Sequence, residues 1–578
     1  MAFELIDRGP GPPAREALAG VVKEAKASDP LAAVTVVVAT NAVGVASRRF
    51  LARSLGGIAG LDMVTVFRLA ERLGAPGLAR AGRRPVSTAV LTAAVRGALA
   101  ADPGLFAEVA DHPATERNMV RIHRELSELD DDQLATLATQ SPRSAAVVAI
   151  HHAVRIRLGG DWYGEHDLVG AAVTAVRADP DLAVRLGTVV WYLPDRLSIG
   201  QGRLGQAIAS ATRSLVVVGL TGEPDADHAV RTSLGHLGVT PSDDPGPVGP
   251  GPPAHVRCLS VTDPDDEVRS ALREIIGRAA TGTPLERMAL LAPRDLPYQR
   301  IIHDQLTGAG VPFHNARGRP LGSFTLARRL LRFLGLRDRN YARPDVLALL
   351  CDDPTAERAA EWETQSRVAG IVDGAEAWTD RLGDHIEACR IKADAGSQAT
   401  AGRLHRAADD AAGLSAAASG LIADLECGTT LHQWSSLAQW CTEVISTRLG
   451  PESERSSWPE GEANAAAQLI AVVQRLAGLD AIEPAPSFLA FRRTIELELA
   501  ERRIREGRTG EGLLVGPLAA AVGIELDLAV VVGMAEGVIP ATPSDDSVIP
   551  DRERRSVGDV LALRSDGARQ QRRDFLVA

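Results

Sequence analysis

Apolar residues in this chain follow two rhythms. Nearly unbroken apolar runs occur at Phe3–Ile6, Val34–Ala39, Leu61–Val66, Thr188–Leu193, Leu215–Gly219, Val256–Val261, Met288–Ala292, Leu513–Val515 and Leu528–Val532. Such short runs, bounded by Gly, Pro or Asp, predict strands buried on both faces, as in a parallel sheet. Elsewhere apolar positions recur three and four residues apart, which predicts helices over 14–27, 46–53 and 266–278, and through much of 85–180 and 345–510. The tract Pro241–Ala254, dense in Pro, Gly and Asp, reads as an exposed linker. The expected order is therefore α/β, helical stretch, α/β, linker, α/β, helical stretch, α/β.

Composition narrows this picture. A chain of 578 residues is too long for one core, and 45% apolar content with only 4% aromatic suits Ala-, Val- and Leu-rich α/β domains. No apolar run reaches eighteen residues, so no transmembrane helix is expected. The opening MAFELIDRG lacks the basic and apolar regions of a signal peptide. Cys258, Cys351, Cys389, Cys427 and Cys441 form no C-x-x-C pair. Neither structural disulfides nor a zinc site is expected, which points to a cytoplasmic protein. A net charge of −11 argues against wholesale coating of nucleic acid, yet leaves room for a local basic groove. Only Lys23, Lys26 and Lys392 are lysines, so nearly all positive charge is arginine. Arginine is a good phosphate fork but does not replace a compact P-loop lysine.

Candidate chemistry sits where strands meet loops. Residues 3–27 have the strand–loop–helix layout of a phosphate loop, with Gly9 and Gly11 as candidate nucleotide-binding glycines. Pro10, Pro12 and Pro13 remove three backbone donors, and no Gly-Lys-Ser/Thr sequence is present. A Pro-rich turn with no ligand is the plain alternative, and nucleotide hydrolysis is not expected under either reading. Residues 315–343 carry eight arginines against one acid, Asp338, a density that can track phosphates; a solvated helix face is the alternative for Arg328, Arg329 and Arg332. Glu24-Ala25-Lys26 with Asp7 mimics a nuclease E-x-K, but it falls on a predicted helix. His151-His152 lacks an H-E-x-x-H context and reads as surface or core histidine.

Residues 513–540, LLVGPLAAAVGIELDLAVVVGMAEGVIP, resemble motif V of UvrD-like superfamily-1 helicases in their Gly, Glu and apolar frame. Pro517, Ala519 and Val522 stand at that motif's Thr, His and Lys. Residues 188–204 resemble the Walker B region, with Tyr192-Leu193 at the acidic pair and Asp195 just beyond Pro194. Residues 215–227 resemble motif III, with Leu220 and Glu223 at its Asp and Gln. Residues 36–50 and 63–73 resemble segments that line the DNA path, where Thr65, Phe67 and Arg68 would lie near the strand. A core role for Phe67 and Leu69 and a solvated Arg68 remain the alternative. Residues 263–321 resemble the start of the second motor domain, and 572–578 the start of motif VI. The motif VI arginine would lie beyond Ala578, so the chain reads as a fragment of a longer protein.

The resemblance narrows to the AddB and AdnA type of subunit in bacterial helicase–nuclease complexes. It implies an α/β, UvrD-like architecture of two RecA-like domains, each interrupted by a helical insertion. The first domain would comprise 1–84 and 185–240 with 85–184 inserted; the second, 255–344 and 511–578 with 345–510 inserted. It implies a non-hydrolysing module in double-strand-break end resection and recombinational repair. Its partners would be DNA (duplex ends and single strand) and a catalytic UvrD-like motor–nuclease subunit, in a heterodimer. Gly9, Gly11, Gly523 and Glu525 would be vestiges of a nucleotide site, and Thr65, Arg68, Arg317 and Arg319 would contact DNA. No catalytic or metal-binding residue and no cofactor is expected in this segment. Mg²⁺ and a 4Fe–4S cluster belong to the nuclease domain of full-length relatives. An active helicase with atypical motifs and a protein-binding scaffold without DNA contact are the alternatives.

Overall fold

A computed structural model describes residues 3–240, 255–351, 359–542 and 544–578, so the expected linker at 241–254 lies outside the described residues. The strands, in chain order, are β1 (Glu4–Arg8), β2 (Val34–Val38), β3 (Leu61–Thr65), β4 (Arg84–Pro85), β5 (Trp162–Tyr163), β6 (Thr188–Tyr192), β7 (Ser214–Gly219), β8 (Met288–Leu291), β9 (Phe313–Pro320), β10 (Arg503–Glu506), β11 (Leu513–Gly516) and β12 (Leu528–Val531). Two five-stranded sheets result, in the orders β1-β7-β6-β2-β3 and β10-β9-β11-β8-β12. Pairing is parallel throughout the first sheet and along β9-β11-β8-β12 in the second.

Alternate residues of the apolar runs explain how each sheet is covered. In the first sheet Val37, Val64, Val189, Trp191, Val216 and Val218 face one core, with Leu69, Leu168, Ile208 and Val230 from the covering helices. Val34, Val36, Val38, Val190, Tyr192, Leu215 and Val217 face the other, with Leu18, Val22 and Leu51. The second sheet repeats the plan: Met288, Leu290, Leu513 and Val515 pack against Val268, Ile275 and Ile302. Its other face sets Ala289, Leu291 and Leu514 against Leu518 and Ala521. Burial on both faces is why β2, β6, β7, β8 and β11 carry almost no polar residues, whereas β9 and β10, toward the edge of the second sheet, carry several.

The chain divides into two compact units. One comprises residues 1–87, 98–318 and 505–578 and holds both sheets; the other comprises 88–97 and 319–504 and is helical. Of the insertion expected over 85–184, residues 98–184 group with the sheets. Two contacts explain this. Helix Val66–Arg80 crosses helix Glu165–Ala178 so closely that a Cβ on Gly74 would stand 2.6 Å from the Leu168 carbonyl oxygen. Asp546 also gathers Arg121, Arg554 and Arg564 at 2.9–3.0 Å, tying helix Pro113–Leu126 to the loop after β12.

The helical unit also begins earlier than expected, at Arg319 instead of 345. Helix Thr325–Leu334 buries Leu326, Leu330 and Phe333, and the Phe333 ring lies 6.1 Å from Trp440. Arg329, for which a solvated face was the alternative, is buried and donates to the Leu449 carbonyl and to Glu454. One expected strand is absent. Residues 256–261 have no regular structure, and Val256 and Leu259 are exposed because no sheet edge covers them. Among the described residues no helix is long and apolar enough to cross a membrane.

Candidate functional site

Helix Pro12–Ala25 starts where β1 ends, as a phosphate loop requires, but its N-terminus is closed to anions. Gly11 takes φ 78°, the left-handed region that favours glycine, and Pro12 and Pro13 fill the first two helical positions without N–H groups. The next donor but one, Arg15 N–H, is spent on the Gly11 carbonyl. Pro10, which follows Gly9, lies against the end of β7, so that a Cβ on Gly219 would stand 3.1 Å from the Pro10 Cα. A helix N-terminus binds phosphate through free, aimed N–H groups, and here proline has removed two of them and Arg15 N–H is already bonded.

The other motif positions turn inward. Tyr192 and Leu193, at the acidic pair, are buried in the first sheet's core, as is Leu220 at the motif III Asp. Burial holds the Tyr192 hydroxyl well above its ordinary pKa, so it is a neutral phenol. Gly523 has φ 76°, and a Cβ there would meet Leu193 and Val43 at 3.2–3.3 Å; it permits a close approach of the second sheet's loop to the first sheet. Glu525 is held by Arg15, Arg53 and Arg287 at 3.1–3.9 Å. An acid neutralised this way is a fastener between segments and is not available to a magnesium ion.

The four expected DNA contacts are dispersed. Thr65 caps helix Val66–Arg80 by accepting from Arg68 N–H. Arg68 pairs with Glu71 at 2.5 Å, and Phe67 is exposed beside it while Leu69 is core. Arg317 pairs with Asp295 at the rim of a cavity of about 30 Å³, roughly the size of one water, outside the carboxyl ends of β8, β9 and β11. His303 and Glu506, 2.8 Å apart, line the same cavity. Arg319 belongs to the helical unit, where it donates to Ser323 and stacks 4.3 Å over Phe324. Each of these arginines already has a partner.

A different set of arginines lacks acidic partners. Helix Asn41–Ser54 presents Arg48 and Arg49, β10 presents Arg505, and the β10–β11 turn presents Arg508 and Thr509; together they line a cleft of about 740 Å³. All four arginines are exposed, and none forms an ion pair among the described residues. Arg49 donates to the Gly510 carbonyl at 2.6 Å, which pins one wall of the cleft to the other. Arg48 donates to the Leu61 carbonyl at 3.4 Å, and no acidic residue lines the cleft. In a chain of net charge −11, four uncompensated arginines around one groove make a local positive field. Sequence reading missed them because Arg48-Arg49 and Arg505–Arg508 lie far apart in the chain. The only signal was the absence of acids from residues 40–53.

All five cysteines are free thiols, and no group of three or more His, Cys, Asp or Glu side chains that could hold a metal occurs among the described residues. Comparison of the chain with protein-family models and with curated proteins finds no match.

Proposed function

We propose that this chain is a non-hydrolysing, helicase-like module that binds DNA and works beside an ATPase motor subunit in processing broken DNA ends. The observation that carries the proposal is the cleft of Arg48, Arg49, Arg505 and Arg508, whose charges are unpaired in an otherwise acidic chain. Such a groove fits a phosphodiester backbone, whose negative charges recur at short intervals and whose counterions are released on binding. The two sheets with parallel strands and covering helices support reading each as a RecA-like domain of a UvrD-like architecture. The proline-closed helix N-terminus and the buried Tyr192-Leu193 pair support the absence of hydrolysis.

The test is a salt series of DNA affinity by fluorescence anisotropy, with native protein and Arg505→Ala/Arg508→Ala. Loss of two phosphate contacts is expected to flatten the log K against log salt slope by roughly 1.4 for single strands and 1.8 for duplex. A slope unchanged by the substitutions removes the cleft from the DNA path. No DNA affinity at any salt favours the protein-binding scaffold, and DNA-stimulated ATP turnover by the isolated chain overturns the non-hydrolysing reading.

A further inference from the structure

Ligands of open parallel sheets bind in the crevice outside the carboxyl ends of the strands. In the first sheet that place is occupied by helix Asp566–Val577 of the same chain. Arg573, with 7% of its side chain exposed, reaches the end of β7 and donates to the Gly219 carbonyl at 2.7 Å. Its other terminal nitrogen donates to Asp227, which is fully buried in the first turn of helix Pro224–Leu237. The Asp227 carboxylate is also held by donors other than the guanidinium, accepting from Thr221 N–H at 3.0 Å, Thr221 Oγ1–H at 2.9 Å and Gly222 N–H at 3.0 Å. One helical turn away, Gln570 bridges Asp195, beyond β6, and Asp574 at 2.9–3.0 Å.

The walls of this crevice are acidic. Asp7, on β1, buries both carboxylate oxygens without a partner. Burial raises its pKa and Asp227 adds to that, against Arg231 and Arg8. Asp574 is raised by burial and by Asp195, against Gln570, Arg196 and Arg573. A phosphate would meet four carboxyls here. A guanidinium fits, because its planar fork can serve a carboxylate and a carbonyl at once with donors fixed in one plane; an ammonium is a point charge and lacks that fork.

We infer that the carboxyl-end crevice of the first sheet is a guanidinium-binding site, filled by the chain's own Arg573, with a charge preference opposite to that of a phosphate site. The helix that carries the arginine also fastens the second sheet, since its Gln571 accepts from Ala541 N–H at 2.7 Å and Ala578, just after it, packs against the cluster around Leu518 and Ala521. The site rests on none of the residues of the arginine cleft, so DNA binding and guanidinium binding stand or fall separately.

The test uses the full chain with Arg573→Ala, read by hydrogen exchange at 219–227 and 566–577. Exchange there is expected to accelerate, by roughly tenfold or more. Methylguanidinium at millimolar concentration is expected to restore protection, whereas methylammonium or Mg·ATP at the same concentration is not. Equal rescue by methylammonium, no rescue by methylguanidinium, or protection by Mg·ATP overturns the assignment. Should the alanine variant not fold, Arg573→Lys keeps the charge and removes the fork: faster exchange at 219–227 supports the site, and native protection refutes it.

Discussion

His123 and His151 are the clearest case of a side chain whose behaviour depends on burial. Their rings lie 4.5 Å apart in the helical region of the sheet-bearing unit, and neither Nδ1 atom has a partner. Burial first, then nearby positive charge (Arg155 and Arg124 for His123; His123 and Arg155 for His151), lowers the pKa values to about 4 and about 3. Both imidazoles are therefore neutral when folded, while the unfolded chain takes up protons near pH 6.5. The unfolded state binds more protons below that pH, so stability falls as pH drops from about 6.5 toward 4. His151→Leu is expected to reduce this acid loss, by up to about 1.4 kcal/mol per pH unit. Melting temperatures of native and variant protein across pH 4–7 check it: the two curves should diverge at acid pH.

Asp546 behaves in the opposite sense. Burial pushes its carboxyl up, but Val548 N–H and the guanidinium groups of Arg121 and Arg554 outweigh that and hold it below the usual carboxylate range. Its stabilising contribution is therefore complete above the unfolded pKa near 3.9 and lost as pH falls below it. Asp546→Asn leaves the fully buried Arg554 with Glu125, at 2.8 Å, as its remaining countercharge. A loss of about 1–3 kcal/mol is expected for the weakened charge network, measurable by denaturant titration. Sequence gave no sign of this network, since its members lie at 121–125 and 546–564 and look like ordinary solvated charges.

At the scale of elements, most of the architecture is written in local pattern. Val34–Val38 and Ser214–Gly219 are buried at every position, as an unbroken apolar run predicts. The same rule misled at Val256–Val261, because a run of apolar residues becomes a strand only where an edge is there to pair with. Helix packing was equally invisible. Gly74 lies inside a helix, where glycine normally costs stability, and its value appears only from the Leu168 carbonyl that a methyl group would strike. Gly74→Ala is expected to destabilise by about 1–3 kcal/mol through overpacking. Gly77 in the same helix has open space at its Cβ position, so Gly77→Ala should be neutral or slightly stabilising. Chemical denaturation of both variants tests the contrast.

At the scale of the whole molecule, function depends on which charges remain unneutralised after folding. Arg48, Arg49, Arg505 and Arg508 keep theirs, so the combined substitution of Arg48 and Arg508 by Glu is expected to abolish salt-sensitive DNA affinity while leaving the melting temperature within a few degrees. Arg68→Ala, whose guanidinium is paired with Glu71, is expected to change DNA affinity less than Arg508→Ala. Anisotropy titrations at one fixed salt concentration rank the two.

The sequence by itself determined the strand cores, the helical stretches and the lack of a phosphate-gripping lysine, because each of these is a property of neighbours along the chain. Only the tertiary structure decided that residues 98–184 join the sheets, that Arg573 fills the crevice above β7, and that Arg48, Arg49, Arg505 and Arg508 line one cleft. The physical reason is range. Hydrophobic periodicity acts over a few residues, whereas an arginine is paired or free according to a carboxylate that the fold brings to within 4 Å from hundreds of residues away.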